Sequence, residues 1–228
     1  MARRKQKKSD ETLVDIVEAK EQAQDFFERN QLLVLGVLAA VVLVIGGLFA
    51  YHNLYKKPRN QQAMEQMFQA QFQFERDSFA LALDAPGGGY DGFLDIIDNY
   101  SGTQAANLAH YYAGICYLNL GRYEAAADFL RNFKADGQVT PIMKFGALGD
   151  ALSELEDWDG AITNYRKAVD AADNDLLTPF YLKKLGMLYE RQGQPDRARE
   201  MYQRIKDEYP NSTIGQDIDK YLSAVAAK

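Results

Sequence analysis

The spacing of apolar and polar positions divides the chain before any single residue is weighed. From Leu32 to Tyr51, LLVLGVLAAVVLVIGGLFAY, twenty residues run without a charge. At about 1.5 Å per residue a helix of that length spans about 30 Å, the hydrocarbon thickness of a bilayer, and it satisfies its own backbone where water cannot. The pattern therefore predicts one transmembrane helix. On both sides of it apolar residues recur every three or four positions, the period of an amphipathic helix. Before the span these are Leu13, Ile16, Val17, Ala23 and Phe27; after it they are Met64, Met67, Phe68, Phe72, Phe79 and Leu83. The second set predicts a helix from beyond Pro58 to about Leu83, stopped by the turn Pro86-Gly87-Gly88-Gly89. Tyr90 to Tyr100 predicts the returning helix, with Phe93, Leu94, Ile96 and Ile97 supplying its apolar surface.

Further on, the periodicity itself repeats. Asn107 to about Lys134, Ile142 to about Asp173, and Pro179 to Pro210 align with one another. Gly114, Gly149 and Gly186 correspond, 35 and 37 residues apart, and Tyr123, Trp158 or Pro195 follows each by nine. Ala126, Ala161 and Ala198 come three residues later, and Leu130, Tyr165 and Tyr202 four beyond those. Small residues at such points let two antiparallel helices touch, and a bulky residue fills the gap toward the next hairpin. This is similar to the tetratricopeptide pattern of about 34 residues, whose Leu-Gly pair is matched by Leu148-Gly149 and Leu185-Gly186. Two departures stand out: Ala113 replaces the Leu of the first pair, and Glu156 occupies the turn position that Gly121 and Gly193 fill elsewhere. A fainter copy lies upstream, because Phe93 to Thr103 parallels Tyr202 to Ser212 at a constant offset, which makes the first hairpin a degenerate repeat.

The fold expected is all-α: a single transmembrane helix, then an α-solenoid of tetratricopeptide-like helical hairpins, then a C-terminal capping helix. A hairpin of this kind cannot bury its apolar face alone, so neighbours stack. The divisions are 1–30, a charged tail with a short amphipathic helix; 31–55, the anchor; 56–103, a juxtamembrane helix and degenerate hairpin; 104–211, three repeats; and 212–228, the cap. In the cap Ile214, Ile218, Tyr221, Leu222 and Val225 share a face behind Ser212, a suitable N-cap.

Charge sets the orientation and narrows the partners. Seven basic residues precede the span (Arg3, Arg4, Lys5, Lys7, Lys8, Lys20, Arg29) and three follow it closely (Lys56, Lys57, Arg59). The excess favours the N-terminus inside and the C-terminal domain outside, the topology of a single-pass type II protein. A cleaved signal peptide fits poorly: the apolar run is too long, and Leu48-Phe49-Ala50 puts a bulky residue where cleavage needs a small one. Gly36, Ala40 and Gly47 lie near one face of the span and mark where another helix can approach. Residues 60–228 carry 16 basic and 25 acidic side chains, a net charge of −9. Such a surface repels phosphate backbones, so nucleic acid is not an expected partner.

No constellation for chemistry emerges, and no cofactor or metal is expected. The Gly87-Gly88-Gly89 run lacks the Gly-Lys-Ser/Thr ending of a phosphate-binding loop. Asp170, Asp173 and Asp175 lack the central Gly and terminal Glu of a calcium loop. His110 falls at a packing position, and Cys116, the only cysteine, has no His or basic neighbour in sequence. What remains is surface. In the tetratricopeptide family the first helix of each hairpin lines a concave groove. Carried onto this sequence, those positions are Leu108, Tyr111, Ile115, Leu118 and Asn119; then Met143, Asp150, Ser153 and Glu154; then Phe180, Lys183, Met187, Glu190 and Arg191. Such a groove accepts an extended or helical peptide, and it is equally open to filling by the chain's own Met64 to Phe79 helix.

One anchor near the N-terminus followed by these repeats resembles the single-span ancillary subunit of the bacterial Sec translocon. The juxtamembrane FFERNQLLVLGVL, Phe26 to Leu38, and the Gly102-Thr103 junction are similar to that family's. The resemblance implies a non-catalytic inner-membrane protein with its repeats in the periplasm. Its implied partners are translocon channel subunits, a membrane-anchored periplasmic chaperone of the prolyl-isomerase type, and emerging secreted chains. The alternative is a tetratricopeptide scaffold for another envelope complex, in division or outer-membrane assembly.

Overall fold

The computed structural model describes residues 28–227 together with Lys20 and Phe26. The amphipathic helix expected around Leu13 to Phe27 falls almost wholly outside these residues. Every regular element described is helical. The chain divides at Pro58 into two units, a short N-terminal one and a larger one from Arg59 to Lys228.

In the first unit, α1 (Gln31–Ala50) carries the uncharged run and buries none of its residues. It is long and apolar enough to cross a membrane, with a mean hydropathy of 3.0 over its most apolar stretch. A Cβ built at Gly36, Gly46 or Gly47 meets nothing within 4 Å, so the chain's own packing does not demand glycine there. The helix then widens into a π-helical turn, Tyr51–Lys56, in which the Lys57 N–H donates to the His52 carbonyl five residues back. Tyr51 and Tyr55 stack along it at 5.4 Å. The apolar period gave no warning of this turn, since one extra residue per turn leaves composition unchanged.

The second unit is a series of helical hairpins. α2 (Lys57–Glu75), α3 (Phe79–Leu83) and α4 (Phe93–Asn99) lead into three regular pairs. These are α5 (Gln104–Asn119) with α6 (Tyr123–Asn132), α7 (Thr140–Glu154) with α8 (Trp158–Ala171), and α9 (Leu177–Arg191) with α10 (Pro195–Glu208). Two short helices, α11 (Thr213–Gln216) and α12 (Ile218–Ala226), close the series. Local signals fix the starts. The Thr103 hydroxyl accepts from the Ala106 N–H, Asp157 from Gly160, and Ser212 from Gly215, each supplying an acceptor to an otherwise orphaned first-turn donor. Pro195 is the first residue of α10 and Pro141 the second of α7, both in the first turn, where a missing N–H costs nothing.

Within each pair the glycine of the first helix faces the bulky residue of the second. A Cβ at Gly114 would stand 2.6 Å from Leu130, at Gly149 2.6 Å from Tyr165, and at Gly186 2.4 Å from Tyr202. The aligned bulky residues thus fill the gap inside their own hairpin rather than toward the next. The turns repeat as well. In each pair the residue after the first helix's cap takes a left-handed conformation: Gly121 at φ 71°, Glu156 at 60°, Gly193 at 69°. Each turn closes by the same two bonds, as when the Gly121 N–H donates to Leu118 and Arg122 to Tyr117.

The helix expected to run unbroken to Leu83 instead stops at Glu75. Asp77 adopts φ 56°, and the Asp77 and Ser78 N–H groups donate to the Phe74 and Gln73 carbonyls, the same closing pair of bonds. Ala70 stands seven residues before this turn residue, as Gly114 does before Gly121, and Phe79 two after it, as Tyr123 does. Ala82 occupies the place of Ala126, and both are fully buried. The first hairpin is therefore built on the repeat plan, its second helix split into α3 and α4 by a loop that carries the glycine run. Gln73 Nε2 donates to the Pro86 carbonyl and ties that loop down. The returning helix accordingly begins at Phe93, behind Gly92, rather than at Tyr90.

The core falls into two clusters. One joins Ala63, Met67 and Ala70 of α2 to Phe93, Ile96 and the small residues of α5. The other runs from Ala126 to Val225 through the later hairpins. The cap departs from the single helix expected: at Asp217 the chain bends between α11 and α12, because Ser212 caps only the first turn. Ile218 and Val225 are nonetheless almost fully buried, and Ile214, Tyr221 and Leu222 pack against the same core.

Candidate functional site

The first helices of the three regular pairs, α5, α7 and α9, touch in succession and present one continuous face. Its centre is Asp150 on α7, six residues before the Glu156 turn. One of its carboxylate oxygens accepts from the Tyr165 hydroxyl at 2.7 Å and from Lys184 Nζ at 2.6 Å. Three hairpin elements therefore meet on a single oxygen: α7 supplies the acceptor, α8 the phenol and α9 the ammonium. A hollow of about 260 Å³ opens above it, lined by Leu118, Tyr123, Asp150, Ser153, Glu154, Tyr165 and Lys184.

A cluster of phenols surrounds this centre. Tyr165 and Tyr181 stack at 6.1 Å, and Tyr111 lies 5.4 Å from the Phe133 ring. Burial, with the negative charge of Asp150 beside them, pushes all three hydroxyls up, Tyr111 to about 12 and the other two further. Near neutral pH they are uncharged donors, unable to serve as general bases. Tyr181 also reaches across to α7, where a Cβ at Gly146 would fall 1.9 Å from its ring. Glycine at 146 is what lets the α9 ring enter between the helices.

The residues singled out from sequence divide by place. Leu118, Asp150, Ser153 and Glu154 line the hollow, while Tyr111 and Ile115 pack against the core of the later hairpins. Leu108 instead belongs to the N-terminal cluster with Met67 and Phe93, so it does not stand on the open face. Asn119 is exposed and its amide donates to its own Ile115 carbonyl. Lys183 lies over the Tyr221 ring of α12 at 4.9 Å, and Arg191 over Trp158 at 4.1 Å, both away from Asp150. Glu190 accepts from the Tyr202 hydroxyl at 2.7 Å, Met187 is exposed, and Met143 is half-buried. No residue from Met64 to Phe79 lines the hollow. Sequence reasoning missed Tyr123, Tyr165 and Lys184. No repeat signal pointed to Lys184: at the 37-residue spacing of Gly149 and Gly186 the position that aligns with Asp150 is Met187.

The other candidate groups resolve into packing. His110 lies 5.9 Å from the Phe129 ring at the edge of a separate hollow of about 590 Å³, and its Nδ1 is buried without a partner. Burial lowers its pKa, against a smaller upward pull from Asp98. Cys116 is fully buried, which pushes its thiol up to about 12. Asp173 accepts from the Tyr209 hydroxyl at 2.6 Å. Among the described residues no group of three His, Cys, Asp or Glu side chains is placed to hold a metal ion.

Comparison with known families agrees with this geometry. One tetratricopeptide repeat model matches residues 142–207 and another matches residues 93–138. The hairpins from α4 onward are thus tetratricopeptide repeats, and the class they define is a protein–protein interaction scaffold, generally non-catalytic. None of the curated proteins compared with the chain matches it.

Proposed function

We propose that this chain is a membrane-anchored scaffold that holds a polypeptide against the α5–α7–α9 face. Asp150 with its phenol and ammonium neighbours would anchor one polar group of that polypeptide. The observation that carries this is the hollow above Asp150. It sets the Leu118 side chain beside the Tyr123, Ser153 and Tyr165 hydroxyls, the Lys184 ammonium and one exposed carboxylate, Glu154. Extended backbone presents alternating donors, acceptors and apolar side chains, which is what such a surface matches.

In this proposal α1 spans the bacterial inner membrane with the N-terminus in the cytoplasm and the repeats in the periplasm. The uncharged length of α1 and the basic excess ahead of it support that placement. The resemblance of Phe26 to Leu38 points to the Sec translocon as the complex served, beside a membrane-anchored chaperone or prolyl isomerase acting on emerging chains. A photoreactive residue at Tyr111 in living cells, followed by purification from gently solubilised membranes, tests the proposal. Crosslinks to channel subunits or secreted chains are expected. Crosslinks confined to division or outer-membrane assembly proteins would move the scaffold to that complex, and labelling of the repeat unit from the cytoplasmic side would overturn the orientation.

A further inference from the structure

On the face formed by the second helices three arginines line one depression of about 340 Å³, which shares no residue with the hollow above Asp150. Arg166 comes from α8, and Arg197 and Arg204 from α10. The floor is Tyr189 of α9, 1% exposed, whose hydroxyl accepts from an Arg166 Nη at 2.5 Å. Both Arg166 and Arg197 place their guanidinium carbon 5.7 Å from the Tyr189 ring centre, so one buried ring organises two cations. Two acids share the wall, Asp170 and Glu200, one helical turn from Arg166 and Arg197. Among the described residues neither acid forms an ion pair with either arginine, and Arg204 pairs outward with Glu208 at 2.8 Å.

Two like charges gathered on one ring, in a unit rich in acid, repel each other and gain little from the ring alone. The geometry points to a bound oxyanion, and we propose that the depression takes a phosphate group. A guanidinium presents paired N–H donors in a plane that matches the oxygens of phosphate. Two guanidinium groups outside any ion pair among the described residues match a dianion better than the single charge of a carboxylate. Asp170 and Glu200 hold the affinity down and make the site selective for a compact anion over an extended acidic peptide, which would meet both carboxylates. The phosphate has two possible sources, a phospholipid headgroup or a soluble phosphate ester. This site is independent of the peptide-binding face, and either can fail without the other.

The test uses the full chain in a neutral detergent, with the arginine Nε–H resonances followed by NMR as inorganic phosphate is added at constant ionic strength. Saturable shifts at Arg166 and Arg197, absent with chloride, are expected. Arg166→Gln with Arg197→Gln weakens binding at least about tenfold, and Arg131→Gln, on another helix, leaves it unchanged. Lysine at both positions keeps the charge and the fold but loses the forks, and it too weakens binding severalfold. Bicelles in which phosphatidylglycerol replaces phosphatidylcholine give the source: shifts without soluble phosphate identify the headgroup, and shifts from glycerol phosphate alone identify the soluble ester. Linear shifts equal to those from chloride, equal binding of acetate, or full binding by the double glutamine variant overturn the proposal.

Discussion

Gly149 and Tyr165 meet so closely that a Cβ on the glycine would stand 2.6 Å from the tyrosine ring. The contact joins α7 to α8, and the same ring carries the hydroxyl that donates to Asp150. In an isolated helix alanine would be favoured over glycine by about 1 kcal/mol. Here the clash wins, because overpacking a core costs about 1 to 3 kcal/mol and the Tyr165 ring is held in place through its hydroxyl bond to Asp150. Gly149→Ala is expected to lose up to about 2 kcal/mol net in urea unfolding and to pull the phenol off Asp150. Gly36→Ala, where a Cβ meets nothing within 4 Å, is the control and leaves that midpoint unchanged.

Glu156 does the work of a glycine without being one. Its φ of 60° equals, within about 11°, the values of Gly121 and Gly193 in the corresponding turns. A side chain in the left-handed region costs about 1 to 2 kcal/mol, while glycine's extra freedom in the unfolded chain costs about 0.5 to 1. The first figure is larger, so Glu156→Gly is expected to stabilise the unit by about 0.5 to 1 kcal/mol and raise its melting temperature by about 2 °C. Asp77, at φ 56°, is the parallel case, and Asp77→Gly should move in the same direction. A fall in melting temperature for both would show that these turns are not strained.

Much of this architecture is legible in the chain because the repeat writes the same contact three times. Gly114, Gly149 and Gly186 align by count alone, as do Leu130, Tyr165 and Tyr202, although each bulky residue fills its own hairpin rather than the gap expected toward the next. The first hairpin was harder to see, because the inserted loop with Gly87 to Gly89 separates Ala82 from Phe93 and breaks the period. Asp77 then hides the turn that a glycine would have announced. The centre of the face was only half legible for a different reason. Family positions identify which residues of a first helix point outward, so Asp150 and Glu154 were found. They do not say which residue of the next helix meets them, and a shift of one position separates Lys184 on Asp150 from Lys183 on Tyr221.

Stability should respond to pH at both ends. Tyr111 and Cys116 have their pKa raised to about 12 by burial, from ordinary values of 10.0 and 9.0. A group raised in the folded state binds its proton more tightly there, so its contribution is complete below the unfolded value and is lost as pH climbs to the folded one. The loss therefore runs between about pH 9 and pH 12. His110 has the opposite sign: its lowered pKa contributes stability above 6.5 that is lost as pH falls. Urea midpoints should be flat from pH 7 to 9 and decline on either side. Tyr111→Phe is expected to shallow the alkaline decline and His110→Leu the acid one. Native Cys116 should also resist alkylation at pH 8, where its thiolate is about one part in ten thousand, until urea exposes it.

The Asp150 centre makes the sharpest claim about the face. Asp150 and Lys184 are 22% and 32% exposed, so their attraction is partly screened and the pair by itself adds about 1 kcal/mol or less. Removing the acceptor is worse than removing the donor. Asp150→Ala strands a half-buried ammonium and the Tyr165 hydroxyl together, at a cost of about 2 kcal/mol, whereas Lys184→Met leaves Asp150 still bonded to Tyr165 and costs under about 1. The double variant should recover part of the first loss, giving a coupling of about 1 kcal/mol in a double-mutant cycle. Additive losses would mean that Lys184 does not pair with Asp150 in solution. If the face binds polypeptide as proposed, Lys184→Met should weaken capture of crosslinked partners several-fold at a temperature where the unit remains folded. Glu154→Gln, exposed and without effect on the fold, should shift partner affinity alone.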